Sequence, residues 1–172
     1  MVGTNVFIQA YLNIHGQTGL PVSKQKQIED FIFRNKVDIL HCQEINIDED
    51  SFSQCSFLST NYHIISNNAV NKFGTASIIR NVFTPENIKL DTMGRAIFFD
   101  IERVTLGNVY LPSGTDGVSR GLRESYCSET IPQLLVNKKE NGCWGGDFNC
   151  ILKSIDCTHH PEAKKSPSCI DI

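Results

Sequence analysis

Two residue types suited to phosphate and metal chemistry stand two apart near the C-terminal end, in Trp144-Gly145-Gly146-Asp147-Phe148-Asn149. A carboxylate can hold a hard cation or take a proton from water, and an amide can fix a water or an oxyanion. Their alternation with aromatic Trp144 and Phe148 suits the end of a buried strand whose polar side chains emerge together at a loop. Gly, Asp and Asn are also ordinary turn residues, and a plain turn is the competing reading. Three earlier stretches add to the first reading: Leu12-Asn13-Ile14-His15-Gly16, Asp38-Ile39-Leu40-His41-Cys42-Gln43-Glu44 and Asn108-Val109-Tyr110-Leu111-Pro112. Each puts a polar residue where an apolar run gives way to turn residues. If their strands are neighbours, Glu44 can meet Asp147 and Asn149 as a set of hard oxygen ligands. A phenol at Tyr110 can donate to a phosphate oxygen as charge develops there. Taken singly, Asn13 reads equally as the cap of a strand end, while Glu44 alone reads sooner as a solvated acid and Tyr110 alone as an aromatic packed at a sheet edge.

The elements that must carry these residues follow from periodicity. Val6, Ile8, Ala10 and Leu12 alternate with Phe7, Gln9 and Tyr11, which predicts a strand over residues 5–13 with both faces covered. Ile28, Phe31 and Ile32 fall at helical spacing within residues 24–35, so this segment is expected to pack as an amphipathic helix on the sheet. Strands are expected over 37–43, 62–66, 75–80, 96–101 and 105–111, separated by Asn67-Asn68, Pro85-Glu86-Asn87 and Gly107-Asn108. Short strands joined by polar turns, with few helices, imply two packed sheets rather than a repeating β-α-β array. Asp48, Glu49 and Asp50 read as a solvated loop run. After a flexible loop at residues 113–117, Arg120 and Arg123 begin a helix expected to bury Leu122, Tyr126, Leu134 and Leu135, with Pro132 kinking or restarting it. The two arginines are the candidates for DNA phosphate contacts, because guanidinium forks suit phosphate; solvated helix-start arginines are the alternative.

In this order the four polar stretches resemble the endonuclease/exonuclease/phosphatase superfamily, and most closely the apurinic-endonuclease-like domain of non-LTR (LINE-type) retrotransposons. The resemblance extends over nearly the whole chain. It implies an α/β fold, a four-layered sandwich of two packed, mostly antiparallel sheets flanked by helices, with the site at one end. It also implies hydrolysis of one DNA strand, leaving the 3′-hydroxyl that primes reverse transcription. In that scheme Glu44 holds Mg²⁺, or Mn²⁺, against the scissile phosphate. Asp147 orients and deprotonates the attacking water, Asn149 fixes the water or phosphate, and Asn13 and Tyr110 support the arrangement. DNA is the implied partner, the expected compartment is intracellular and nuclear, and the reverse transcriptase of the parent element is absent from these 172 residues.

Several features depart from the family pattern. Ser113 stands where relatives often carry Asn, and His15 where they have Asp or Asn. Relatives continue well past Asp156-Cys157-Thr158, through a further carboxylate motif to a Ser-Asp-His motif. His159-His160 come too soon to replace it. The expectation is therefore a single domain over 1–172 that lacks its C-terminal strands, exposes a sheet edge, and has impaired activity. The rival classes are a catalytically dead remnant that binds nucleic acid or protein, and a phosphatase of the same superfamily acting on a small phosphoester.

Bulk properties exclude little. A chain of 172 residues with 40% hydrophobic and 20% charged residues is long enough and apolar enough for one packed domain. The formal net charge of −3 gives no general attraction to nucleic acid, so DNA binding requires a local basic face. The N-terminus has neither a basic segment nor a long apolar run, which argues against a secretory signal or a membrane span. Seven cysteines without CxxC pairing are expected to be reduced thiols. Cys143, Cys150 and Cys157 recur every seven residues ahead of His159-His160, and a zinc site there is the weaker rival, since the spacing lacks the tight pairing of structural zinc.

Overall fold

The computed structural model describes residues 6–68 and 74–150. It is built from two four-stranded sheets, and each contains one parallel pair closed by a helical crossover. The first sheet runs β1 (Gln9–Thr18), β2 (Ile39–Asn46), β4 (Gly74–Arg80), β3 (Tyr62–Asn67). β1 and β2 are parallel, joined by α1 (Val22–Asn35), and the other two pairings are antiparallel. The second sheet runs β5 (Glu86–Leu90), β6 (Ala96–Ile101), β7 (Val104–Tyr110), β8 (Asn141–Asp147). Its parallel pair is β7–β8, joined through α4 (Gly117–Ser125), a π-helical turn at Tyr126–Thr130 and α5 (Ile131–Leu134). A parallel pair requires such a crossover, and this is why the helices flank the sheets. Two short helices, α2 (Glu49–Ser53) and α3 (Ser56–Asn61), lead from β2 to β3.

Three apolar clusters define four layers. Ile28 and Ile32 of α1, with Phe52 and Leu58 of α2 and α3, cover Leu40, Cys42, Ala76 and Ile78 on one face of the first sheet. Ile39 and Ile79 pack between the sheets against Ile97, Phe99, Ile101 and Leu106. Phe98 and Val109 face outward from the second sheet onto Tyr126 and Ile131. The intersheet layer changes character along its length. From Ile39 and Ile79 it passes to His41, Gln43, Thr75, Ser77 and Asn108, all buried and polar. Strand periodicity enforces this, since β2 residues 39, 41 and 43 share one face while 40 and 42 share the other.

Several expected boundaries shift. β1 begins at Gln9 and continues to Thr18, and β2 continues past Glu44 to Asn46, so Asn13 and Glu44 lie within strands and not at their ends. Both occupy interruptions in register, at Asn13/Gln17 and Gln43/Ile45, with left-handed backbone at His15 (φ 59°), Gly16 (φ 72°) and Glu44 (φ 57°). A bulge re-aims a side chain without ending the strand. The acidic run is not a plain loop, because Asp48 caps α2 by accepting from Ser51 N at 2.7 Å. α2, α3 and β5 were absent from the sequence reading. The helix after β7 buries Arg123 where Leu122 was expected, and Leu122 is 48% exposed. Pro132 stands at the start of α5, directly after the π turn, and restarts the helix as expected.

Candidate active site

The site lies where the two parallel pairs approach each other, along a seam between β1 and β8. Every second residue of β1 meets every second residue of β8. Gln9 Nε2 donates to Cys143 Sγ at 2.7 Å. The Tyr11 ring lies against Gly145, where an added Cβ would come within 3.0 Å of it. Asn13 Nδ2 donates to Asp147 Oδ2 at 2.8 Å. Tyr11 also stacks on His41 (4.7 Å, 20°) and donates to Gly107 O at 3.2 Å, so it bridges both sheets. At Gly146, the residue before Asp147, φ is +140° and a Cβ would fall 1.9 Å from Val109 O. Only glycine allows β8 to approach β7 there.

At the end of this seam Asn13 organises two acids. Its Oδ1 accepts from His15 N across the bulge at 2.8 Å, which fixes the amide so that Nδ2 faces away from the main chain. That nitrogen donates to Glu44 Oε1 at 3.0 Å and to Asp147 Oδ2 at 2.8 Å. Tyr110 OH reaches the same Glu44 oxygen at 3.4 Å. Burial, and then the charge on Glu44, push the Tyr110 phenol above its ordinary pKa, so it stays a donor at neutral pH. Asp147 Oδ1 accepts from Asn149 N at 3.0 Å, which turns the chain back at a left-handed Asn149 (φ 48°). Left-handed backbone is uncommon outside glycine, and His15, Glu44 and Asn149 all adopt it here.

The second sheet is locked in register by buried amides. Asn108 Nδ2 donates to Cys42 O and Ala76 O, both at 3.0 Å, and its Oδ1 accepts from Gln43 Nε2 at 2.7 Å. β7 is thereby fixed to β2 and β4 two residues before Tyr110, and this carries the phenol to Glu44. The loop beyond Tyr110 is held as firmly: Leu111 N donates to Asp147 O (2.9 Å), and Asn149 Nδ2 to Leu111 O (2.8 Å).

The structure thus brings Asn13, Glu44, Tyr110 and Asp147 together from β1, β2, β7 and β8, with Asn149 two residues past the end of β8. Asn149 differs from expectation in detail, because one amide hydrogen is committed to Leu111 O and its placement is that of a support for the loop. Arg123 is a correction. It is 4% exposed and its Nη1 donates to Pro112 O and Gly114 O, both at 2.8 Å, so it pins the loop and is withdrawn from solvent. The carbonyl of buried Pro112 beside α4 requires a donor, and Arg123 supplies it. Arg120 is half-buried on α4. The sequence reading missed Arg95, whose guanidinium lies 5.0 Å above the Tyr110 ring, and the roles of Gln43, Asn108 and Tyr11. Gln43 next to Glu44 and Asn108 two before Tyr110 were visible in the motifs; Arg95 carried no signal.

The carboxylate pair fits a hard divalent cation. Two acids contact one neutral nitrogen, both are acceptors only, and their mutual repulsion favours a cation between them. No cluster of three or more His, Cys, Asp or Glu residues occurs among the described residues, so water and substrate oxygens would complete the coordination of Mg²⁺. The rival zinc set is not assembled among them either: Cys143 Sγ faces Gln9, while Cys157 and His159-His160 lie outside the described residues. A separate cavity of about 190 Å³ between the second sheet and α5 involves none of the motif residues. Its polar walls are already paired, Asp100 with Thr105 and Asn87, and Lys89 with the carbonyls of Leu134 and Val136.

No protein-family model and no curated protein matches this sequence. Solved structures do. An AP endonuclease from Archaeoglobus fulgidus superposes with a TM-score of 0.70 at 20% identity, covering 91% of this chain and 62% of that one. The fold is shared. A 3′-5′ exonuclease, NExo, from Neisseria meningitidis gives 0.65 at 21% identity (82% of this chain, 59% of that one). TDP2 from C. elegans gives 0.61 at 18% identity (91% and 51%). The four-layered sandwich expected from the sequence is therefore the architecture observed, and the chain spans about three-fifths or less of the length of these neighbours.

Proposed function

We propose that this chain carries a Mg²⁺-dependent phosphodiesterase site that nicks DNA, in the manner of the endonuclease of a retrotransposon-type element acting in the nucleus. The observation that carries the reading is the single amide of Asn13 joining Glu44 and Asp147 beneath the Tyr110 phenol. When bound, Mg²⁺ would supply charge stabilisation at a phosphate oxygen, held by Glu44 with or without Asp147. Asp147, fixed by Asn13 and by Asn149 N, is placed to orient a water and take its proton. Tyr110 donates to a non-bridging oxygen, and its raised pKa keeps that proton on the phenol. The reading is supported by neighbours that are an AP endonuclease, a 3′ phosphatase with a product DNA hairpin and TDP2 with a single-strand DNA product, which also makes DNA the partner of choice.

The test is nicking of supercoiled plasmid by the 172-residue chain, with Mg²⁺ and with EDTA, beside Asp147→Ala and with folding verified by circular dichroism. Mg²⁺-dependent nicking that disappears in Asp147→Ala is expected. A folded chain that binds DNA in a salt-sensitive way without nicking it would replace this reading with a binding role, and turnover of a soluble phosphomonoester alone would replace it with a phosphatase.

A further inference from the structure

We infer that Arg95 is a positioning residue that fixes the Tyr110 phenol over Glu44. Its use in turnover rests on the functional reading above; the placement itself does not.

The turn before β6 is rigid because Asp91 organises it. Asp91 is 7% exposed. Its Oδ1 accepts from Arg95 N and Ala96 N at 2.7 Å and from Asn67 Nδ2 at 2.8 Å, and its Oδ2 accepts from Met93 N at 2.9 Å. Asn67 belongs to β3 of the other sheet and also donates to Ala96 O at 2.9 Å. The turn is therefore tied to both sheets, and Arg95 is delivered at a fixed height beside β7.

From there Arg95 holds Tyr110 in three ways. Its carbonyl accepts from Tyr110 N at 2.8 Å, its Nη1 donates to Tyr110 O at 3.2 Å, and its guanidinium carbon stands 5.0 Å above the ring centroid. A cation over a ring face is attracted to it, and two hydrogen bonds to the same residue's main chain hold the backbone from which the ring projects. With the main chain and one ring face held in this way, the hydroxyl stands 3.4 Å from Glu44 Oε1.

The test needs two readouts. The chain contains four tyrosines, so ¹³C-tyrosine labelling gives a ring spectrum in which Tyr110 is assigned by Tyr110→Phe. Arg95→Met is expected to shift the Tyr110 ring signals and leave those of Tyr62 unmoved, while Arg95→Lys shifts them less. In plasmid nicking, Arg95→Met should lower kcat about tenfold with KM little changed, and this loss should shrink to under about twofold in a Tyr110→Phe background. Unchanged Tyr110 signals in Arg95→Met would overturn the placement. A kcat loss equally large without the hydroxyl, or a loss carried by KM, would show Arg95 acting on substrate directly and would also overturn it. If the unsubstituted chain turns nothing over, the functional reading fails and the ring signals alone decide the role of Arg95.

Discussion

His41 should make the protein acid-sensitive, by an amount that its surroundings fix. The imidazole is fully buried between the sheets, stacked on Tyr11, with Nδ1 2.9 Å from Ser77 Oγ and Nε2 without a partner. Burial lowers its pKa to about 3, because a charged imidazolium would lose its hydration between the sheets. In the unfolded chain the same group titrates near its ordinary value of about 6.5. Between these two values the unfolded state binds a proton that the folded state refuses, so stability is intact above the unfolded pKa and declines as pH falls below it. Going from about pH 7.5 to about pH 5 this one group removes about 2 kcal/mol. That result is insensitive to the folded pKa so long as it lies well below 5. The perturbation is the double substitution His41→Phe/Ser77→Ala, which keeps a ring against Tyr11 and removes both hydrogen-bonding partners together. Urea unfolding at the two pH values should show the loss in the parent chain exceeding that in the variant by about 2 kcal/mol. Any offset at neutral pH from imperfect packing cancels in this difference. Other acid-sensitive groups are common to both proteins. Asp100 is one: burial alone would raise its pKa, but bonds from Thr105 and Asn87, with Lys139 and Lys89 nearby, lower it overall. Equal losses in the two proteins would refute the assignment of a neutral, desolvated His41.

Two pairs of substitutions have further expected outcomes. Gly146→Ala should lower the melting temperature by roughly 10 °C, since the new Cβ has no room against Val109 O and the backbone is one that L-residues avoid. Gly121→Ala, on open helix surface, should instead stabilise by about 1 kcal/mol, and a matched thermal melt compares the two. Arg120→Ala should reduce the salt slope of DNA binding by about one phosphate contact, whereas Arg123→Ala should leave the slope alone and lower the melting temperature. A changed slope with an unchanged melt in Arg123→Ala would contradict its burial.

The sequence was most informative where strand alternation and chemistry coincide. Apolar runs located β2, β4, β6 and β7 within one or two residues at most ends, because each is covered on both faces. β5 was missed because its side chains are mostly exposed and its sequence, Glu-Asn-Ile-Lys-Leu, sits among turn formers. α2 and α3 were missed because five- and six-residue helices show no full period. At the site, Asn13, Glu44, Tyr110 and Asp147 were legible as polar residues beside strand-like runs. Their bulges were not, because the left-handed backbone at His15, Glu44 and Asn149 is held in a tertiary setting, as by the bond from Asn149 Nδ2 to Leu111 O, 38 residues away. Arg123 was misplaced because an arginine satisfying buried carbonyls has the same local sequence as one in solvent. Arg95 was invisible because its partner, Tyr110, is fifteen residues away and meets it only across a sheet.

The bond between Asn13 and Asp147 joins residues separated by 134 positions. Such a centre has high contact order and is among the last things the chain can complete. A nascent polypeptide carrying β1 through β7 holds Asn13, Glu44 and Tyr110 but no Asp147, and Asp147 is usable only after both sheets have docked along the seam. Unfinished, proteolysed or partly unfolded copies therefore contain every motif residue up to the break and still lack the paired acids. For a site that would cut DNA, chemical competence and completed folding are one event.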